Sequence, residues 1–182
     1  MSSPEGLDRR GLLVGAAALG VAGVTPAASP PPPVAAVAAA VPPHAELVYE
    51  ALALLEPTIE HGQGRYGHRA RVPIIGGWAR GPGFSARILP GGADWQLLRA
   101  DGYKELEADY YMETEDKALI HVINRGLVSP MKPGAARYAM STPWFEAPSG
   151  RYEWMNQHIF VGTVGPGEPD RPSVRLMIYK LL

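Results

Sequence analysis

Ile74-Ile75-Gly76-Gly77 … Gly81-Pro82 … Leu89-Pro90-Gly91-Gly92-Ala93-Asp94-Trp95-Gln96 is the stretch on which the fold reading turns. Two Gly-Gly pairs and a Gly-Pro punctuate short apolar segments, and the second pair runs straight into an acid and an indole. Glycine enters positive-φ backbone that other residues reach only with strain, so each pair reads as a tight reversal between strands. On that reading Asp94 and Trp95 stand together at the mouth of a strand.

Outward from this stretch the same rhythm continues. Leu47–Leu55, Arg69–Ile75, Phe84–Leu89, Asp94–Arg99, Lys104–Thr114, Ala118–Asn124, Arg151–Val161 and Val174–Leu181 read as strands, several of them alternating apolar and polar residues. No segment after Pro43 carries a capped helical stripe. Between Leu127 and Pro143 the pattern breaks at Pro130, Pro133 and Gly134, which reads as a long loop. The expectation is an all-β, antiparallel, eight-stranded up-and-down barrel with that loop across an open end.

Composition bounds the rest. The chain has 182 residues, a formal net charge of −1 and no cysteine. The cysteine count excludes a disulfide scaffold, a thiolate metal site and a cysteine nucleophile. No basic stripe is present, which argues against nucleic acid as a partner. Residues 1–43 read as an export signal and linker: Arg9-Arg10 precede an apolar segment from Leu12 to Val24, followed by Pro30 to Pro33 and an Ala/Val/Pro run. Twin arginines before a short apolar segment point to twin-arginine export and a periplasmic or secreted protein. The segment is short for a membrane span, so none is expected to remain after processing. Residues 44–182 are expected to form one barrel domain. Self-association into a homo-oligomer stays open.

Several residues carry candidate chemistry. Asp94, after a double-glycine turn and beside an indole, is placed to act as general acid or base; its plainer role is to accept turn amides. Asn124 continues the apolar face of Ala118, Ile120 and Val122, where a buried amide would orient a substrate oxygen or satisfy loop backbone. Tyr111 is a proton donor or acceptor, or else an outer-face strand residue. Arg125 has opposite parity to Asn124 and is a surface charge unless the strand bulges to make it an anion-binding lid residue. Trp154, Asn156 and His158 share one face if Arg151–Val161 is a strand, and with Trp95 they would form a wall for a flat aromatic ligand. The five histidines show no i,i+2 or i,i+4 pairing among themselves, so no metal site is expected. No Gly-x-Ser-x-Gly elbow appears, and Gly76-Gly77 lacks the strand-to-helix context of a phosphate loop.

With these blocks laid out, the chain resembles the domain of unknown function 3237 family. Gly76-Gly77, Gly81-Pro82, Pro90 to Gln96 and Asn124-Arg125-Gly126 match its pattern, followed in order by Ser141-Thr142-Pro143, Phe145-Glu146, Arg151-Tyr152, Trp154-Met155-Asn156 and Phe160 to Thr163. The resemblance covers the chain after Pro43. It implies a small barrel similar to the allene-oxide-cyclase and dirigent types, which steer reactive small molecules in the lumen without a cofactor. Four departures stand out: Asp109 where the family usually has Arg, Tyr111 in place of a small hydroxyl residue, Lys117 in place of a turn glycine, and Ala139-Met140 in place of an aromatic-basic pair.

Together these readings favour an exported, cofactor-independent enzyme of isomerase, cyclase, lyase or decarboxylase type. Its substrate would be a hydrophobic, aromatic, oxygenated small molecule, with Asp94, Asn124 and Tyr111 as catalytic groups. A non-catalytic binder of small apolar ligands is the alternative, and a structural barrel with a filled interior is a third.

Overall fold

The computed structural model describes residues 41–182; the expected export segment around Arg9-Arg10 lies outside them. The described strands are β1 (Ala45–Leu55), β2 (Ile59–Gly64), β3 (Gly67–Gly81), β4 (Phe84–Ile88), β5 (Gly92–Leu98), β6 (Lys104–Thr114), β7 (Leu119–Val128), β8 (Ala139–Glu146), β9 (Phe160–Pro166) and β10 (Ser173–Leu181). All pair antiparallel in the order β1-β10-β9-β8-β7-β6-β4-β3, and pairing of β1 with β3 closes the ring. β4 and β5 both lie between β3 and β6, and β1 and β2 share the other edge of β3. The result is a closed eight-stranded barrel with two extra strands. Closure pairs both edges of the barrel sheet and leaves β2, bonded to β3 alone, with a free edge.

The first glycine pair does something other than reverse the chain. Gly76 and Gly77 lie inside β3, with φ of 148° and 133°. A Cβ on Gly77 would sit 2.0 Å from the carbonyl oxygen of Leu52 on β1. On one side β4 gives way to β5 between Gly77 and Ile74, since Ile88 pairs with Gly77 and Gly92 with Ile74; on the other, β1 runs past both glycines to Ile74 and β2 begins at Arg71. Gly76-Gly77 is therefore a bend in β3 at the handover from β4 to β5. Gly91, with φ of 105°, is a turn as expected.

One end of the barrel is plugged. Tyr49 stacks on Phe84 at 5.2 Å, Phe145 meets Phe160 edge-on at 4.8 Å, and Tyr152 closes on Phe84 at 6.3 Å. Met112, Ile120, Val122 and Met155 fill the space between them and are almost wholly buried.

Three local readings are corrected. Arg151–Val161 is not one strand: Glu153–Gln157 form a 3-10 turn, and β9 starts only at Phe160. Tyr152 and Met155 are both buried three residues apart, the spacing of a 3-10 turn, with Met155 N donating to Tyr152 O at 3.0 Å. A 3-10 turn and a strand share enough periodicity over five residues to be confused. The loop expected over 127–143 spans only 129–138, because β7 runs on to Val128 and β8 begins at Ala139. Pro143 hid β8; it sits where β8 is paired to β7 alone, so its missing N–H costs no ladder bond on the other side. β2 was missed because Ile59-Glu60-His61-Gly62-Gln63-Gly64 is almost wholly exposed and shows no apolar face.

Candidate functional site

Opposite the plug the barrel is hollow. A cavity of about 620 Å³ opens among the ends of β1, β5, β6, β7, β9 and β10 and the 129–138 loop. Leu55, Leu106, Val128, Val164, Val174 and Leu176 form its apolar wall. This is the ordinary size and character of a small-molecule pocket, apolar with a few convergent polar groups.

The polar groups arrive by strand alternation. On β5, Asp94 and Gln96 face the cavity while Trp95 between them points outward; on β6, Lys104 and Tyr110 share the inward face with Leu106 and Ala108. Asp94 and Asn124 both pair across Ala108, from β5 and β7 respectively. Two strand spacings place their Cα atoms about 10 Å apart.

Asp94 is held by one oxygen. Gln96 Nε2 donates to Asp94 Oδ2 at 2.6 Å, and Lys104 Nζ donates to Gln96 Oε1 at 3.0 Å. Asp94 Oδ1 is buried and has no hydrogen-bond partner. Burial pushes the carboxyl above the usual aspartate value, against the opposing pull of the Gln96 hydrogen bond, the Lys104 charge and the backbone N–H of Glu107. Burial of this kind moves a carboxyl toward the range in which a general acid or base works.

Two more acceptors wait in the same space. Asn124 Oδ1 and Ser141 Oγ are buried without partners, and both residues line the cavity. Unpaired buried polar atoms cost about 1–3 kcal/mol each, a cost that a hydrogen-bonding partner would relieve. Tyr110 is buried at the inner end, and burial raises its pKa, which keeps its hydroxyl protonated as a donor. Among the described residues no cluster of three or more His, Cys, Asp or Glu is arranged to hold a metal ion.

Of the residues nominated from sequence, Asp94 and Asn124 come together in the cavity and the others lie elsewhere. Trp95 is outside, under the Arg71 guanidinium at 5.7 Å. Tyr111 is outside, stacked on His121 at 4.7 Å. Arg125 is outside as parity required, its Nε donating to Glu107 Oε2 at 2.8 Å. Trp154 and Asn156 are part of the 3-10 turn at the plugged end, and His158 follows its last residue. Asn156 acts as a substitute strand partner, its Oδ1 accepting from Ala147 N and its Nδ2 donating to Ala147 O, each at 2.8 Å. His158 Nδ1 donates to Trp154 O at 2.8 Å. Asp109 is also outside, paired with His121 at 2.7 Å, so the departure from Arg there does not touch the cavity.

Gln96, Lys104, Tyr110, Ser141 and Arg137 were missed. Parity with Asp94 would have found Gln96, and parity along β6 would have found Lys104 and Tyr110. Ser141 and Arg137 were hidden with β8.

Comparisons with known proteins agree with this architecture. The profile of the family described as "Protein of unknown function (DUF3237)" matches residues 43–181. A UPF0311 protein of Rhodopseudomonas palustris is 34% identical over 128 residues, covering 64% of this chain and 84% of the relative. One from Clostridium acetobutylicum is 38% identical over 107 residues, covering 52% and 68%. Among solved structures, a conserved protein of unknown function from Rhodopseudomonas palustris superposes with a TM-score of 0.70 at 29% identity, covering 79% of this chain and all of that one. A β-barrel-like protein from Acinetobacter baumannii gives 0.71 at 28% identity, covering 79% and 98%. A protein from Penicillium herquei, described only as an enzyme, gives 0.63 at 24% identity, covering 79% and 97%; at that distance the likeness is one of fold.

Proposed function

We propose that this chain, which belongs to the DUF3237 family of proteins of unknown function, is an enzyme acting on a small, apolar, oxygenated molecule held in the open half of its barrel. The observation that carries the reading is that Asp94, Asn124 and Ser141, each with a buried side-chain oxygen that has no hydrogen-bond partner, line one apolar cavity. Asp94 would give or take the proton through Oδ1 while Gln96 holds Oδ2. Asn124 and Ser141 would orient a substrate hydroxyl, and Tyr110 would donate to a substrate oxygen. Reactions that need only proton placement and shelter from water suit this set: isomerisation, cyclisation, elimination or decarboxylation. They draw on no group beyond the chain's own side chains.

The proposal extends to location: Arg9-Arg10 and the apolar segment after them support export, with catalysis in the periplasm or outside the cell.

The test is Asp94→Asn, which keeps shape and the acceptor for Gln96 but removes proton transfer. Turnover should fall roughly 10²–10⁴-fold with ligand affinity largely kept. Unchanged turnover per folded molecule would remove Asp94 from the chemistry. A ligand that binds without turnover in both forms would make the barrel a carrier.

A further inference from the structure

Outside the barrel some cations meet carboxylates, as Arg125 does Glu107 at 2.8 Å and Arg87 does Glu113 at 3.0 Å, while Arg71 and Arg80 lie over the Trp95 and Trp78 rings. At the open rim of the cavity stand two cations that have neither a carboxylate nor an aromatic face. Lys104 Nζ donates to the amide oxygen of Gln96, and Arg137 Nε donates to the carbonyl of Ser129 at 3.0 Å. Neither bond is to a carboxylate, and both residues line the cavity.

They also arrive from separate elements onto one stretch of rim. Lys104 opens β6 and pairs with Val128, which pairs in turn with Ala139 at the start of β8. Arg137 stands two residues before Ala139 on the loop. Asp94 is the one acidic residue among those lining the cavity. With Asp94 ionised, two cations against one acid leave the space short of a single negative charge.

From this we infer that the molecule taken into the barrel is a monocarboxylate, its acid group lying at the open rim between Lys104 and Arg137 and its apolar, oxygen-bearing body pointing inward to Asp94 and Asn124. The inference rests on the reading of the cavity as a small-molecule site and adds the ligand's charge and polarity. A carboxylate suits the planar guanidinium fork and leaves the ammonium a second acceptor besides Gln96. A single charge closes the balance, whereas a phosphate monoester near −2 would overshoot it. Spacing sets the length. Gln96, which the ammonium touches, lies two residues from Asp94 along β5, about 7 Å. An aromatic ring carrying a short acid side chain and a hydroxyl at its far edge spans that separation.

The test is calorimetric titration of the purified full chain with 4-hydroxycinnamate, its amide and 4-hydroxyphenyl phosphate, repeated with Arg137→Gln and with the Lys104→Met/Arg137→Gln pair. The acid should bind roughly ten- to a hundred-fold more tightly than the amide, the range of a charge-assisted contact. Arg137→Gln, on an exposed loop, should reduce that ratio, and the double substitution should bring it near one with the melting temperature retained. Equal binding of acid and amide by the unsubstituted protein overturns the inference while leaving the small-molecule site standing. Tighter binding of the phosphate overturns the monocarboxylate, and a ratio that survives the double substitution overturns its placement. Binding by none of the three overturns both readings.

Discussion

Gln96 Nε2 donates to Asp94 Oδ2 at 2.6 Å, and the same amide accepts from Lys104, so a cation reaches the buried acid through one intervening side chain. The relay fixes which Asp94 oxygen is occupied and which is left without a partner. It also opposes, without cancelling, the effect of burial.

That balance has a thermodynamic signature. Asp94 binds its proton more tightly in the folded than in the unfolded chain, so its contribution to stability declines as pH rises from the unfolded value, about 4, through the folded one. Asp94→Asn removes the titration. The variant should melt higher than the parent at pH 7–8, and the difference should shrink as pH is lowered toward 4. A variant that melts lower at neutral pH would show that the charged carboxylate is stabilising and that burial is not the dominant effect.

Lys117 has φ of 69°, the left-handed region, in the turn closed by Lys117 N donating to Thr114 O at 3.0 Å. A lysine there bears strain that glycine does not. Lys117→Gly loses an ion pair to Glu113 at 2.8 Å, weakened by the exposure of the lysine. The net result should be a gain of roughly 0.5–1 kcal/mol by urea unfolding; a loss would mean that the ion pair outweighs the backbone.

Gly77→Ala should do the reverse. Its new methyl would have to displace the β1 backbone at Leu52 while holding a positive φ, at a cost of upwards of about 2 kcal/mol. A melting temperature within a degree or two of the parent would show that the β3 bend is not confined to this residue.

Asn156→Ala removes both bonds to Ala147 at the plugged end, and should cost about 1–3 kcal/mol without altering affinity for a ligand in the cavity. Tyr110→Phe and Tyr111→Phe form the complementary pair. The first should weaken binding of an oxygenated ligand, and the second, on the outer face, should leave it unchanged. Titrations that affect Asn156 or Tyr111 variants and spare Tyr110→Phe would move the site.

For the export segment the expected outcome is a precursor retained in the cytoplasm, with an intact N-terminus, when Arg9 and Arg10 are both changed to Lys. Normal processing of the Lys-Lys form in a fractionation assay would exclude the twin-arginine route.

Residues legible in the sequence were those whose signal is local. Alternation announced β6 and the start of β7, Gly91 announced a turn, and no capped helical stripe announced the all-β class. Asp94 and Asn124 stood out because a carboxylate after a turn and an amide on an apolar face are unusual wherever they occur, and both line the cavity. Tyr111 takes the outer-face alternative, and Trp95 lies outside too, as the same alternation, carried one residue further, sets both on the face opposite Asp94 and Tyr110. Trp154, Asn156 and His158 were misjudged because five residues of alternation do not separate a strand from a 3-10 turn.

The sequence alone determined the class of fold, the blocks of a known family and the two residues on which the proposed chemistry turns, since propensity and parity act within a few residues. Only the tertiary structure decided that Gly76-Gly77 bends a strand and that one end of the barrel is plugged while the other stays hollow. It alone decided that Lys104 and Arg137 share a rim. Those facts depend on which strands lie side by side: Gly77 is required by a carbonyl 25 residues earlier in the chain, and the rim is assembled across β6, β7 and β8. Closure of the ring through β1 and β3 sets that registry, and no short window of sequence contains it.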